Sequence, residues 1–312
     1  MRVAAIDCGT NSIRLLIADV IDNKLVDVVR TMIIVRLGEG VDQTREFSQA
    51  ALTRTFAAVD VYAKLISEHK PDVVRFIATS ASRDVSNRDE FFTGVKNRLG
   101  FEPTVISGDE EARLSFLGAT AGFAELPDAP NPPYLVIDIG GGSTEFVVGE
   151  VAPTAAISTD VGCVRMTERH FHDDPPTAQQ IADATIDIDE AIASAGSVVP
   201  INEVKSLIGL AGSVTTVAAL ALGLTSYEPD KIHGSRISAA KVHQITQELL
   251  SMTRVQRAEF GPMHEGRVDV IGGGALVLDR IMQLTGLPEV VVSEHDILDG
   301  IAFDIVQANS PN

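Results

Sequence analysis

The chain has 312 residues, 45% of them hydrophobic and 22% charged, which describes a globular protein long enough for two domains, since single cores rarely grow beyond roughly 250–300 residues. Its 43 acidic against 25 basic side chains give a formal charge of −18. That balance argues against nonspecific binding of a DNA or RNA polymer or of a membrane surface, which needs a basic face, while a small anionic substrate stays compatible if local arginines, a metal ion or both overcome the field. Cys8 and Cys163 are too few and too far apart for a disulfide framework and lack metal-ligand spacing. Both read as packing residues; the alternative for Cys8, inside a glycine loop, is a thiol nucleophile, although no histidine neighbours it in sequence. Asp7 and Arg14 interrupt the N-terminal apolar run and no small-residue cleavage pattern follows, so the expected location is the cytoplasm.

In chain order, residues 3–18 read as strand, tight turn, strand, with Asp7, Gly9, Asn11, Ser12 and Arg14 in or beside the turn. Residues 24–35 look like a third antiparallel strand, ending in a loop, 36–40, that is either a solvated connector or the carrier of one useful arginine, Arg36. Residues 48–69 have helical periodicity, with Ser48 as N-cap and Ala51, Phe56, Val59 and Leu65 facing a core. A buried strand follows at 73–78, then a polar loop, 79–84, and a helix, 87–99. Loops at the carboxyl ends of strands bind ligands in open α/β sheets, so Arg83 is a candidate anion contact; the alternative is a surface ion pair with Asp84 or Asp89. Residues 104–118 read as strand, Ser-Gly turn and helix, with Glu110 and Glu111 in the first helical turn, where acidic residues also simply complement the dipole. Adjacent helical residues point about 100° apart, so only one of the two glutamates can enter a cleft.

Residues 123–133 hold four prolines and form the expected linker between lobes at 1–125 and 126–293, with residues 294–312 expected to rejoin the first lobe. Residues 134–149 then repeat the first design: an apolar run broken by Asp138, Gly140, Gly141, Gly142, Ser143, Thr144 and Glu145. Glycines let backbone N–H groups approach an anion, and two hard carboxylates across a turn can hold a divalent ion through water. Two Asp-x-Gly-x-x-Ser hairpins suggest a duplicated framework with two phosphate loops facing each other across a cleft. Residues 154–161 continue the sheet, and Arg165 lies near the start of the next helix. His170 and His172 are spaced by two, which does not place them on one helical face, so metal binding there is not expected. Residues 178–194 form an acidic amphipathic helix. Residues 207–217 repeat strand, glycine turn and helix, making Gly212 and Ser213 a third anion site or, alternatively, a packing glycine and a cap. Residues 267–276 look like a strand leading through a glycine turn to a helix; 288–292 is a short strand and 297–306 a final helix. The order fits an α/β protein with two lobes.

Together, the two Asp-x-Gly loops, Ser-Gly-Asp-Glu-Glu-Ala-Arg at 107–113, Asp-Ile-Gly-Gly-Gly-Ser-Thr-Glu at 138–145, Gly-Cys-Val-Arg-Met-Thr-Glu at 162–168 and Ala-Gly-Ser-Val-Thr at 211–215 resemble the exopolyphosphatase and guanosine pentaphosphate phosphohydrolase family. The resemblance implies an α/β fold of two ribonuclease-H-like lobes, as in the actin-like ATPase superfamily, with an interlobe cleft. It implies an enzyme that releases the terminal phosphate of inorganic polyphosphate, of guanosine pentaphosphate, or of both, with Mg²⁺ or Mn²⁺ as cofactor; guanosine tetraphosphate is a further candidate ligand, and a homodimer is left open. Carried over residue by residue, Glu111 is the catalytic base and Arg83 holds the anion. Asp138 and Glu145 serve the metal and its water, Gly140, Gly141, Gly142 and Ser143 grip phosphate, and Gly212 and Ser213 add a substrate contact. Asp7, Gly9, Asn11, Ser12 and Arg14 line the opposite wall. Two departures bear on this. Leu298-Asp299-Gly300 lacks the arginine that many relatives carry there, and the chain ends where longer relatives continue, from which a preference for short polyphosphate is expected. Two rivals stay open: a kinase of the same superfamily, with Gly272–Gly274 as the adenosine turn, and a sensor that binds guanosine tetraphosphate or polyphosphate without turnover.

Overall fold

The first apolar run becomes β1 (Arg2–Cys8), and its alternation assigns two faces: Ala4, Ile6 and Cys8 enter one buried cluster, Val3 and Ala5 another. β1 is therefore central, paired antiparallel with β2 (Ser12–Ile21), which pairs with β3 (Lys24–Ile34), and parallel with β4 (Val73–Ala78). The structure is a computed structural model that describes residues 1–22, 24–83, 85–123 and 128–309. Between β3 and β4 lie α1 (Val41–Thr44) and α2 (Gln49–His69). Ser48 caps α2 by accepting from the Ala51 N–H, a contact that contributes about 1 kcal/mol in such positions. After β4 come α3 (Ser80–Arg83), α4 (Arg88–Leu99), β5 (Thr104–Val105) and α5 (Gly108–Thr120). The polar loop expected at 79–84 is thus largely one helical turn; Asp84 lies outside the described residues.

The remaining elements are β6 (Tyr134–Ile139), β7 (Thr144–Gly149), β8 (Pro153–Thr159), α6 (Cys163–His170), α7 (Ala178–Val198), β9 (Ser206–Leu210), α8 (Ala211–Ala221), α9 (Pro229–Ile232), β10 (Arg236–Ser238), α10 (Ala239–Ser251), α11 (Arg254–Arg257), α12 (Ile271–Thr285), β11 (Glu289–Val292) and α13 (Ile297–Asn309). The chain divides into a unit of Met1–Gly118 with Ile297–Asn312 and a unit of Ala119–Asp296. The boundary expected between residues 125 and 126 lies outside the described residues.

In the first unit the strand order is β3-β2-β1-β4-β5. Leu52, Val59 and Tyr62 of α2 and Phe91 and Val95 of α4 cover one face of the sheet, and Ile297, Leu298, Ile301 and Ile305 of α13 cover the other. In the second unit the order β8-β7-β6-β9-β11 repeats that winding, antiparallel twice and then parallel twice, with β10 added at the edge. This is the ribonuclease-H-like pattern in both units. Among the described residues no helix is long and apolar enough to cross a membrane.

One segment departs from its sequence reading. Residues 267–270 are not a strand: Arg267 ends a 3₁₀ turn, Glu265–Arg267, and Gly272–Gly274 lie inside the first turn of α12. The glycines serve close packing. A Cβ on Gly274 would stand 2.1 Å from the Ser213 Oγ, and one on Gly273 would stand 2.9 Å from the Cys163 carbonyl oxygen. Val268, Val270 and Ile271, which mimic a strand in sequence, are buried at the helix entry.

Candidate functional site

In the first unit the hairpin turn is closed by the Gly9 N–H donating to the Ser12 carbonyl at 3.0 Å. Asp7 and Arg14 are direct cross-strand partners, so their side chains leave the same face of the sheet. Arg14 donates to Asp7 Oδ2 from Nε at 3.0 Å and from Nη2 at 2.6 Å. The loop at 36–40 is more than a connector. The Asn11 carbonyl accepts from the N–H groups of Val35 and Arg36, the Thr10 carbonyl accepts from Gly38, and the Thr10 methyl fills the space a Cβ on Gly38 would need.

Arg83, at the end of α3, donates from Nη1 to Glu111 Oε2 at 2.7 Å and to the Ile106 carbonyl at 3.1 Å. Its ion-pair partner is the proposed base rather than Asp89. Glu111 is buried at the start of α5, whereas Glu110 turns away and takes two guanidinium bonds from Arg113, each 2.9 Å. The divergence follows from their 100° separation. Asp7–Arg14 and Glu111–Arg83 are thus carboxylate–guanidinium pairs formed by sequence-predicted site residues of the first unit. Cys8 is fully buried, and burial, with Asp7 adding to it, pushes its thiol well above the ordinary range, which removes the basis for a thiolate nucleophile there.

In the second unit the matching bond, Gly140 N–H to the Ser143 carbonyl, is again 3.0 Å. The loop is braced from α6: Cys163 N–H donates to the Gly140 carbonyl, Val164 and Arg165 N–H to that of Gly141, and Arg165 Nε to that of Gly142 at 2.7 Å. Arg165 is buried. The register Asp138↔Leu210 brings the start of α8 alongside the strand tip, and Ala211 there adopts φ 68°, a left-handed conformation that side chains other than glycine seldom take. Arg267 lies over Gly212, donating from Nη1 to its carbonyl and to Thr216 Oγ1, both at 3.2 Å. Ser213 and Cys163 both pack on Gly274, so the first turns of α6, α8 and α12 meet. Their positive dipole ends suit the nearby carboxylates and any bound anion.

Arg165 and Arg267 were not identified as site residues from sequence. Arg165 was visible only as a residue near a helix start, and Arg267 sat in the segment misread as a strand.

Asp138 and Glu145 are also direct cross-strand partners, and both are buried. Like charges directly opposed on a sheet are destabilising. Ser143 and Ser158 each donate to Glu145 Oε1, at 2.8 and 2.7 Å, so the Ser143 hydroxyl is engaged with the carboxylate. Hairpin one places Arg14 where hairpin two places Glu145. The second hairpin thus carries a carboxylate at the position where the first carries a guanidinium. Among the described residues no group of three or more His, Cys, Asp or Glu side chains could hold a metal ion.

Known proteins resemble the chain in sequence and in fold. The chain is 48% identical over 317 aligned positions to Exopolyphosphatase 2 of Mycobacterium tuberculosis, covering 97% of this chain and 98% of that protein. It is 28% identical over 309 positions to the guanosine-5'-triphosphate,3'-diphosphate pyrophosphatase of Vibrio atlanticus, covering 97% of this chain and 59% of that one. The crystal structure of an exopolyphosphatase-like protein matches it with a TM-score of 0.94 and 43% identity, covering 99% of both chains. The pattern of the Ppx/GppA phosphatase family matches residues 16–309, and the chain belongs to that family.

Proposed function

We propose that the chain is an exopolyphosphatase, which hydrolyses the terminal phosphoanhydride bond of inorganic polyphosphate in a reaction dependent on Mg²⁺ or Mn²⁺. The observation that carries this reading is the difference between two otherwise matching hairpins: Asp7 faces Arg14, whereas Asp138 faces Glu145. The first hairpin sets a guanidinium opposite its carboxylate, and the second sets two carboxylates opposite one another, ligands of the kind a hard divalent ion takes. The identity to a named exopolyphosphatase over nearly the whole chain supports the same substrate class.

Phosphoanhydride hydrolysis requires an oriented water and neutralised phosphate oxygens, with little covalent work from the protein. Glu111 orients the attacking water and takes its proton. Arg83, 2.7 Å from that carboxylate, places its charge on the phosphate beside the reacting water. The N–H groups of Gly141, Gly142 and Ser143 grip phosphate oxygens, and Arg165 keeps the loop in shape through the Gly142 carbonyl. Asp138 and Glu145 would hold the divalent ion, which when bound neutralises phosphate oxygen charge.

Short chains are the favoured substrate in this reading. A long polyanion needs an extended cationic track, and this chain carries a formal charge of −18. A second reading, hydrolysis of guanosine pentaphosphate, is favoured by the similarity to the Vibrio atlanticus pyrophosphatase. Initial rates of phosphate release from polyphosphates of defined length and from guanosine pentaphosphate, each with and without Mg²⁺ or Mn²⁺, test both. Metal-dependent release that is most efficient on short polyphosphate is expected. Equal efficiency on very long chains would remove the length preference, and release only from the nucleotide would replace the substrate. Phosphoryl transfer to an acceptor alcohol in place of release to water would indicate a kinase, and saturable binding without release a sensor.

A further inference from the structure

The run Leu298-Asp299-Gly300 forms part of the first turn of α13, and nothing in the proposed chemistry uses it. Its neighbours show a different task. A Cβ on Gly300 would lie 1.9 Å from the Leu114 carbonyl oxygen and 2.7 Å from its carbon, so α13 and α5 touch backbone to backbone and no flexible side chain can yield. Leu114 follows Glu111 by three residues on α5, on neighbouring turns of the same face. Leu114 also packs in one apolar cluster with Ile297, Leu298, Ile301 and Ala302.

Four residues beyond Gly300, Asp304 accepts from Arg113 of α5 at 2.6 Å and from Arg75 of β4. Glu110 takes the other bonds of Arg113 and lies 3.7 Å from Arg75. Two carboxylates and two guanidiniums thereby join β4, α5 and α13 beside the residue that precedes Glu111. Burial raises the Asp304 carboxyl, but the bonds and charges of Arg113 and Arg75 outweigh it and hold the group below the ordinary range. Asp299 accepts from both Nη atoms of Arg30 on β3, at 2.5 and 3.2 Å.

We propose that Gly300 and Asp304 are positioning residues for Glu111, setting the depth and rotation of α5 from the C-terminal helix. The inference rests on Glu111 being the base of the proposed hydrolase. Neither residue touches substrate. Because a helix moves as a rigid rod, a displacement of α5 by about 1 Å carries the Glu111 carboxylate with it, and misplacement of that size can lower turnover about 100-fold. The loop 140–143, which grips phosphate in that reading, belongs to the other unit, so the loss is expected chiefly in kcat.

The test compares Gly300→Ala, Asp304→Asn and Asp299→Asn in the full chain, by thermal midpoint, by kcat and KM for polyphosphate well below the lowest midpoint, and by hydrogen exchange of the α5 amides. Gly300→Ala is expected to lower kcat about 100-fold and Asp304→Asn about tenfold, with KM within about twofold and faster exchange in α5. Asp299→Asn loosens the same helix at a different contact, so it should lower the midpoint while kcat stays within about twofold. Wild-type kcat and α5 exchange in Asp304→Asn would overturn the proposal, as would an equal kcat loss in Asp299→Asn, which would indicate general loosening. If Gly300→Ala does not fold, Asp304→Asn decides. If the wild-type chain releases no phosphate, the exopolyphosphatase reading fails, and α5 exchange alone decides whether α13 holds the helix.

Discussion

Gly162→Ala probes the second phosphate loop without altering any polar group. Gly162 has φ −163° and ψ 166°, extended backbone open to any residue, so the requirement for glycine there is purely steric. A Cβ would lie 2.5 Å from the Gly141 carbonyl oxygen, 2.6 Å from its carbon and 2.8 Å from the Ser143 nitrogen, against an ordinary contact of 3.4–4 Å. The loop must retreat by about 1 Å, which strains the bonds from Cys163, Val164 and Arg165 to the carbonyls of Gly140 and Gly141. Overpacking of this kind costs about 1–3 kcal/mol, and 2 kcal/mol corresponds to about 4–8 °C in midpoint for a unit of this size. If the loop N–H groups grip the phosphate, their displacement lowers kcat/KM for polyphosphate about 100-fold. Thermal melting and steady-state phosphate release measure the two effects. A variant that melts lower yet keeps wild-type kcat/KM would refute the role of the loop in binding, and one unchanged in both would refute the packing argument itself.

Asp138→Asn removes one of the two opposed carboxylates proposed to hold the ion, so the midpoint increase on adding Mg²⁺ should be lost. An unchanged midpoint response to Mg²⁺ would contradict the pairing of these residues around a cation. His264 accepts the Gly266 N–H through Nδ1, and burial first and Arg267 second hold its imidazole below the ordinary value. Between the lowered folded pKa and about 6.5 the unfolded chain binds more protons, so this stabilisation is complete above pH 6.5 or so and is lost as pH falls. The rise in midpoint from about pH 5 to 7.5 should be shallower in His264→Asn than in the wild type, and equal slopes would refute the assignment.

Much of this was legible because it is local. The apolar runs around Asp7 and Asp138 announce their hairpins, Ser48 announces its cap, and adjacency alone requires Glu110 and Glu111 to diverge. What escaped depends on segments meeting at a distance. Arg165 is recognisable as a brace only once α6 lies against the loop 23 residues earlier, and Arg267 only once it lies over Gly212, 55 residues before it. Gly272–Gly274 misled for the same reason: in sequence a glycine run signals a turn, while its tertiary neighbours Ser213 and Cys163 make it a packing surface inside a helix. The three-residue β10 is too short for any periodicity to mark it.

The most direct test is phosphate release from short polyphosphate with Mg²⁺ by the wild-type chain and by Glu111→Gln, alongside the thermal midpoint of each. The account predicts metal-dependent release by the wild type, and turnover reduced at least about 1,000-fold in the variant with folding preserved, since the amide occupies the same volume but takes no proton. Release by a folded Glu111→Gln chain at a rate near that of the wild type would contradict it.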